Sequence, residues 1–256
     1  MHKIVLIGSG NAATVLGRLM KKQGHEIVQV VSRNLENARI LANELGAYSE
    51  PLTAPSFAEA DIYIISVLDQ AIGSMEKYEA LRGKFVVHTA GSVSINALAN
   101  ISDRYGVLYP LQTLSKFVDH IPEIPFMVDG NNADTIDTLI QFARTLSSKV
   151  SYANDNQRMG YHIAAVFATN FSNHMFALAE IYCQRENIDF KMMHPLIEEI
   201  CTKVKLYSPY LTQTGPAMRD DSFTMGKHLE MLSRYPELKY MYIKLTENII
   251  KIHGKR

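Results

Sequence analysis

Gly8-Ser9-Gly10-Asn11-Ala12-Ala13 is a G-x-G-x-x-A run, a spacing that can cradle a pyrophosphate. The first glycine permits a tight turn and the second lets phosphate oxygens approach the backbone. A small third residue, here Ala13, lets the following helix pack closely on the preceding strand. Unpaired N–H groups at the start of that helix then meet the negative charge. An ordinary glycine turn contains the same letters, so context decides. The apolar run from His2 to Ile7 precedes the loop, and Ala12, Val15, Leu16, Leu19 and Met20 follow it with helical spacing. Gly8, Gly10, Asn11, Ala12 and Ala13 are therefore expected at a dinucleotide cofactor.

About 20 residues past such a loop, an NAD site places an acidic residue for the ribose 2′-hydroxyl. This sequence has Val30-Val31-Ser32-Arg33-Asn34 there. Ser32 and Arg33 suit a 2′-phosphate, since a guanidinium gives two charge-assisted hydrogen bonds, and the expected cofactor is NADP(H). The competing reading leaves Arg33 on a solvated turn while Asn34 caps the next helix. Further on, Ser66-Val67, His88-Thr89-Ala90-Gly91-Ser92 and Tyr109-Pro110-Leu111-Gln112-Thr113 each follow an apolar run. In a doubly wound sheet, ligands bind outside such strand ends. Ser66, Val67, Thr89 and Gly91 are expected at the cofactor, and Ser92 and Gln112 at a small polar substrate.

The second half carries a different set of candidates. His162, Asn170, Asn173 and His174 punctuate an apolar stretch from Gln157 to Arg185 that reads as one helix of about 30 residues, roughly 45 Å long. At helical spacing Asn173 and His174 share a face with Asn170, and His162 lies close to it. Such groups either satisfy one another in a core or look into a cleft. His162 and Asn170 are candidates to orient or protonate a reacting atom, with Asn173 and His174 as substrate contacts. Arg219, in the polar turn Thr214–Asp221, is the candidate for binding a substrate anion; a structural Arg–Asp cluster is the alternative.

Alternating strand and helix signals up to about residue 153 require a mostly parallel, doubly wound α/β sheet. A helix is expected near Gln70–Leu81 and another near Ala133–Leu146. After residue 153 only helical patterns appear, so the expected domains are 1–153 for the cofactor and 154–256, all-α. The long helix is too long for a small domain to cover, which suggests a homodimer. Lys+Arg 26 balances Asp+Glu 26, which argues against a nucleic-acid partner. No run approaches a membrane span, and an apolar strand starting at the N-terminus leaves no room for a signal peptide, so a cytoplasmic location is expected. Cys183 and Cys201 match no disulfide framework or zinc pattern and read as core residues; no metal is expected.

The motifs IGSGNAA at 7–13, HTAGS at 88–92, YPLQTLSK at 109–116, HIAAVFATNFSNH at 162–174, PLIEEICTK at 195–203 and TGPAMRDD at 214–221 occur in one order along the chain. Together they resemble bacterial Rossmann-like proteins with a C-terminal helical domain of unknown function, near the pyrroline-5-carboxylate reductases. The resemblance implies an NADP-binding Rossmann domain followed by a helical dimerisation and substrate domain. It also makes Thr214 and Gly215 substrate candidates, because Thr212–Pro216 is similar in placement to the reductases' substrate turn while departing from it in sequence. Related hydroxyacid dehydrogenases use a lysine on the interdomain helix, and none lies between Arg158 and Arg185. The expected function is NADPH-dependent hydride transfer to a C=N or C=O of a small anionic substrate. The alternatives are a deazaflavin-dependent NADP reductase and a non-catalytic NADP-binding sensor or scaffold dimer.

Overall fold

The computed structural model describes residues 1–118 and 120–254. Eight strands form one sheet: β1 (Lys3–Ile7), β2 (Glu26–Ser32), β3 (Tyr48–Pro51), β4 (Ile62–Ile65), β5 (Phe85–His88), β6 (Arg104–Pro110), β7 (Phe126–Gly130) and β8 (Val150–Tyr152). Their order is β3-β2-β1-β4-β5-β6-β7-β8, and only the β6–β7 pair is antiparallel. Alternate residues of a strand face opposite sides. Ile4 and Leu6 of β1 accordingly enter one apolar cluster with α1 (Asn11–Lys22), α2 (Leu35–Leu45) and α3 (Ala133–Leu146). Val5 and Ile7 enter a second cluster on the other face. Burial on both faces explains why these strands read as continuous apolar runs.

Several local expectations hold. Asn34 accepts a hydrogen bond from the Asn37 N–H and caps α2, which ends at Gly46 in the left-handed region (φ 76°). α3 spans the expected Ala133–Leu146. The expected helix at Gln70–Leu81 is instead three short 3-10 turns, Asp69–Ala71, Gly73–Lys77 and Glu79–Leu81. Ile72, Met75, Tyr78 and Leu81 pack in the second cluster. Their spacing of three matches a 3-10 stripe, since i and i+3 eclipse there. β3 is an unanticipated strand; YSEP is short, polar and at the sheet edge, where a hydrophobic run is not required.

The last strand among the described residues ends at Tyr152. α4 (Asp155–Ala165) starts at a capping box in which Asn154 and Gln157 exchange hydrogen bonds. The expected uniform helix is interrupted by a π-helical turn, Val166–Phe171, before α5 (Ser172–Arg185). By contact pattern the chain forms two compact units, Met1–Asn170 and Phe171–Arg256. α4 belongs to the first because Arg158, 1% exposed, donates to the Val93 carbonyl (2.5 Å) and to Asp155 (2.7 Å). Asp155 in turn accepts from the Ser94 hydroxyl and the Ile95 N–H.

The second unit contains α5, a 3-10 turn at Phe190–Met193, α6 (His194–Leu206), α7 (Ser222–Met231) and α8 (Pro236–His253). Pro195 restarts the helix at its first turn, where its missing N–H costs nothing. Cys183 is buried, but Cys201 is exposed, which corrects its reading as a core residue; it lies on α6, none of whose residues is buried. No described helix is long and apolar enough to cross a membrane.

Candidate active site

The strand order reverses at β1, and the loops after β1, β2, β4 and β5 open there into a cavity of about 1060 Å³. Gly8 has φ 131°, and a Cβ there would stand 2.0 Å from the Ser66 carbonyl oxygen. No other residue fits this crossing of the loop over β4. At Gly10 a Cβ would meet nothing within 4 Å, so that edge of the loop faces open space. Gly10 also caps α1 without a side-chain hydrogen bond, and the first turn carries no acid. The N–H groups there are left for a ligand.

Expected cofactor residues Gly8, Gly10, Asn11, Ala12, Ser32, Arg33, Ser66, Val67, Thr89 and Gly91 all line the cavity. Ala13 is fully buried behind the loop, which is the packing role its size suggested. The Ser32 and Ser9 hydroxyls are 2.8 Å apart, and Thr89 donates to the Ser66 hydroxyl (3.2 Å). Arg33 is exposed and forms no ion pair among the described residues, while Asn34 beside it caps α2. Asn34 thus caps the helix as the competing reading expects, while Arg33 is both exposed and among the residues that line the cavity.

His162, on α4, lines the same cavity. Its Nδ1 is 3.0 Å from the Tyr109 hydroxyl, with the rings edge to face at 6.1 Å. Gly91 packs against both: a Cβ there would lie 2.9 Å from the Tyr109 ring and 3.0 Å from His162 Nδ1. Burial pushes the Tyr109 hydroxyl above its ordinary pKa, with Asp69 adding to the rise and Arg158 opposing it. Asp69 lines the cavity and accepts a hydrogen bond from the Ser92 hydroxyl, which ties that expected substrate residue to the wall. Gln112 accepts from the Thr113 N–H (2.9 Å).

Beneath this wall, His88 is fully buried, and burial followed by the Arg158 charge lowers its pKa to about 4. Its Nδ1 accepts from the Ala90 N–H (3.2 Å), which leaves the proton of the neutral ring on Nε2. Burial raises the Asp129 carboxyl, although the Gly130 N–H and Arg158 counteract it. Burial would raise Asp155 too, but hydrogen bonds from Ser94, Ile95 and Arg158 outweigh it and hold this carboxyl below its usual range.

The π-helical turn alters the expected helix face. It begins four residues after His162 and includes Asn170, so the 3.6-residue period that would align them is broken. Asn170 is exposed at the end of the first unit, with its amide oxygen 3.1 Å from the Thr169 hydroxyl. Asn173, His174, Thr214, Gly215 and Arg219 belong to the second unit. Asn173 and His174 are exposed, not joined in a buried network. Arg219 is exposed and makes no hydrogen bond or ion pair within 4 Å among the described residues, although its charge helps to hold the Asp221 carboxyl below its usual range. Asp221 instead caps α7 through the Thr224 N–H (3.0 Å).

Residues 3–91 match the family described as NADP oxidoreductase, coenzyme F420-dependent, and residues 124–249 match a domain of unknown function, DUF2520. A Bacteroides fragilis protein provisionally designated an NADP oxidoreductase shares 39% identity over 99% of this chain and 98% of its own, with a TM-score of 0.91. The chain belongs to the NADP oxidoreductases. Protein TM1727 of Thermotoga maritima shares the fold at 19% identity, over 98% of this chain and all of its own (TM-score 0.77). So does a reductive aminase of Aspergillus terreus, solved with NADPH and ethyl-5-oxohexanoate: 16% identity, 100% and 96% coverage, TM-score 0.72. No curated protein matches significantly.

The cavity of this NADP oxidoreductase fits its cofactor on local grounds. The glycine cradle admits a diphosphate, and the uncapped α1 end supplies donors. The sequence places Asp69 and Tyr109 at strand ends and Lys116 within the 109–116 motif, but it gives none of the three a particular role. Tyr109 was visible as a strand-end residue, but only the fold brings it to His162, 53 positions away. Lys116 sits in a loop with no periodic signal.

Proposed function

We propose that this oxidoreductase reduces a C=N or C=O bond of a small anionic substrate, with His162 supplying the proton. NADPH provides the hydride when bound. The observation that carries the reading is the hydrogen bond by which Tyr109 holds His162, a residue that lines the same cavity as the Gly8–Ala12 loop. A protonated His162 gives its proton to the substrate nitrogen or oxygen as carbon accepts the hydride, and ends neutral. The Tyr109 hydroxyl accepts from Nδ1–H before and after that transfer, which leaves Nε2 to carry the proton that moves. Gly8, Gly10, Asn11, Ala12, Ser66, Val67, Thr89 and Gly91 hold the cofactor, with Ser32 and Arg33 at its 2′-phosphate.

The shared fold includes imine reductases, such as that of Myxococcus stipitatus solved with NADP+ (17% identity), and a pyrroline-5-carboxylate reductase of Streptococcus pyogenes (14%). This supports the C=N class. Ser92, Gln112, Asn170, Asn173, His174, Thr214 and Gly215 remain substrate-contact candidates, and Arg219 the candidate for the anion. An Arg219→Ala variant that loses turnover but keeps NADPH affinity supports that role; unchanged turnover removes it. A second reading follows from the matched family description, which names coenzyme F420. Oxidation of NADPH by a deazaflavin but by no imine or carbonyl selects it.

In this proposal the chain dimerises through its helical half, with the long α4–α5 stretch as a contact. Its support is poor self-burial: only Cys183, Ala217 and Leu238 are buried among its described apolar residues, while Leu196, Ile200, Leu206, Tyr240 and Ile252 are at least half exposed. Free cysteines at 183 and 201 fit a reducing compartment, and we assign the protein to the cytoplasm.

A further inference from the structure

Two lysine or arginine side chains, Arg33 and Lys116, occur among the residues lining the cavity. Neither forms an ion pair among the described residues. They lie on different parts of the wall. Arg33 follows β2 beside Ser32, whose hydroxyl meets that of Ser9. Lys116 lies in the segment between β6 and β7, pinned to α1: its N–H donates to the Asn11 amide oxygen (3.3 Å), and its carbonyl accepts from Arg18 (3.1 Å). Leu114 and Ile121 of the same segment pack on the cluster that contains α1. The Lys116 backbone is thereby fixed beside the first residue of the helix that opens the phosphate loop.

The charge balance gives this placement a consequence. A helix N-terminus is worth about half a positive charge, and a diphosphate carries about two negative ones. The first turn of α1 has no cationic side chain to make up the difference. We propose that Lys116 is the diphosphate cation of this site, while Arg33 serves the 2′-phosphate. NADPH and NADH share the first group, and NADPH alone has the second, so the two cations separate by experiment.

Calorimetric titration of the full-length protein with NADPH, NADH and 2′-AMP makes the separation. Lys116→Met keeps the aliphatic stem and removes the charge. It should raise the Kd of NADPH and NADH by the same factor, about tenfold for one lost charge-assisted contact. The affinity for 2′-AMP, which has no diphosphate, should be unchanged, and Lys116→Arg should restore most of the dinucleotide affinity. Arg33→Met should instead weaken NADPH and 2′-AMP and spare NADH. Unaltered dinucleotide affinity in Lys116→Met, or a loss confined to NADPH, overturns the proposal. Matching melting temperatures show that the variants are folded, and no outcome depends on identifying the substrate.

Discussion

Arg33 and the Asn34 beside it have two separate tasks in the proposed reading. Asn34 is spent on the cap of α2, so the cavity-facing charge at the end of β2 is Arg33 alone. Removing a charge-assisted contact costs about 1.5–3 kcal/mol, or roughly one to two decades of affinity. Arg33→Ala should therefore erase most of the preference for NADPH over NADH, measured as the ratio of the two Kd values; an unchanged ratio refutes the assignment. Behind His162, Tyr109 stays protonated through neutral pH because burial raises its pKa, so it holds the His162 ring by a hydrogen bond without ionising. General acids typically contribute about 10²–10⁴ in rate. His162→Ala should lower kcat by at least about a hundredfold on that scale. Tyr109→Phe should leave NADPH affinity intact, lower kcat by less, and shift the pH at which activity falls; a variant with the wild-type profile denies Tyr109 its positioning role.

β5 carries the clearest consequence for stability at the scale of elements. His88 is buried in its last position with a pKa of about 4, against an ordinary value near 6.5. Between those values the unfolded chain binds the proton and the folded chain does not, so stability falls as pH drops from about 6.5 towards 4. The ceiling on this loss is about 3 kcal/mol. Thermal melts across that range should fall more steeply for the wild type than for His88→Gln; parallel curves contradict the assignment. Gly91 sets a second constraint: Gly91→Ala places a methyl against both Tyr109 and His162. That variant should lose turnover, and unaffected turnover argues against a functional Tyr109–His162 pair. The strands and α1–α3 were legible because burial leaves apolar runs and caps leave Asn and Gly. The 69–81 turns were not, since a spacing of three resembles a helical stripe over so short a span. The π turn at 166–171 has no signature in spacing, and it breaks the face on which His162 and Asn170 were aligned.

At the scale of the molecule, the first unit has a core on both sheet faces, and the second, by itself, buries little. Apolar surface left in water does not offset the entropy of ordering the chain. The account expects a dimer, with a light-scattering mass twice that of the chain and a melting temperature that rises with concentration. A monomer with concentration-independent melting counts against it. Length and composition bounded the class, and the cofactor loop was readable from residue 8. The grouping of Tyr109, Gly91 and His162 was not readable, because they come from three separate segments and meet only when β5, β6 and α4 are assembled. The central claim is hydride transfer to a small imino or oxo acid with His162 as proton donor. Its most direct test follows NADPH absorbance with a panel of such acids, using wild type and His162→Ala side by side. The account predicts turnover by the wild type, faster with NADPH than NADH, and a loss of at least about a hundredfold in the variant. Oxidation of NADPH only by a deazaflavin, or equal rates in the two proteins, would contradict it.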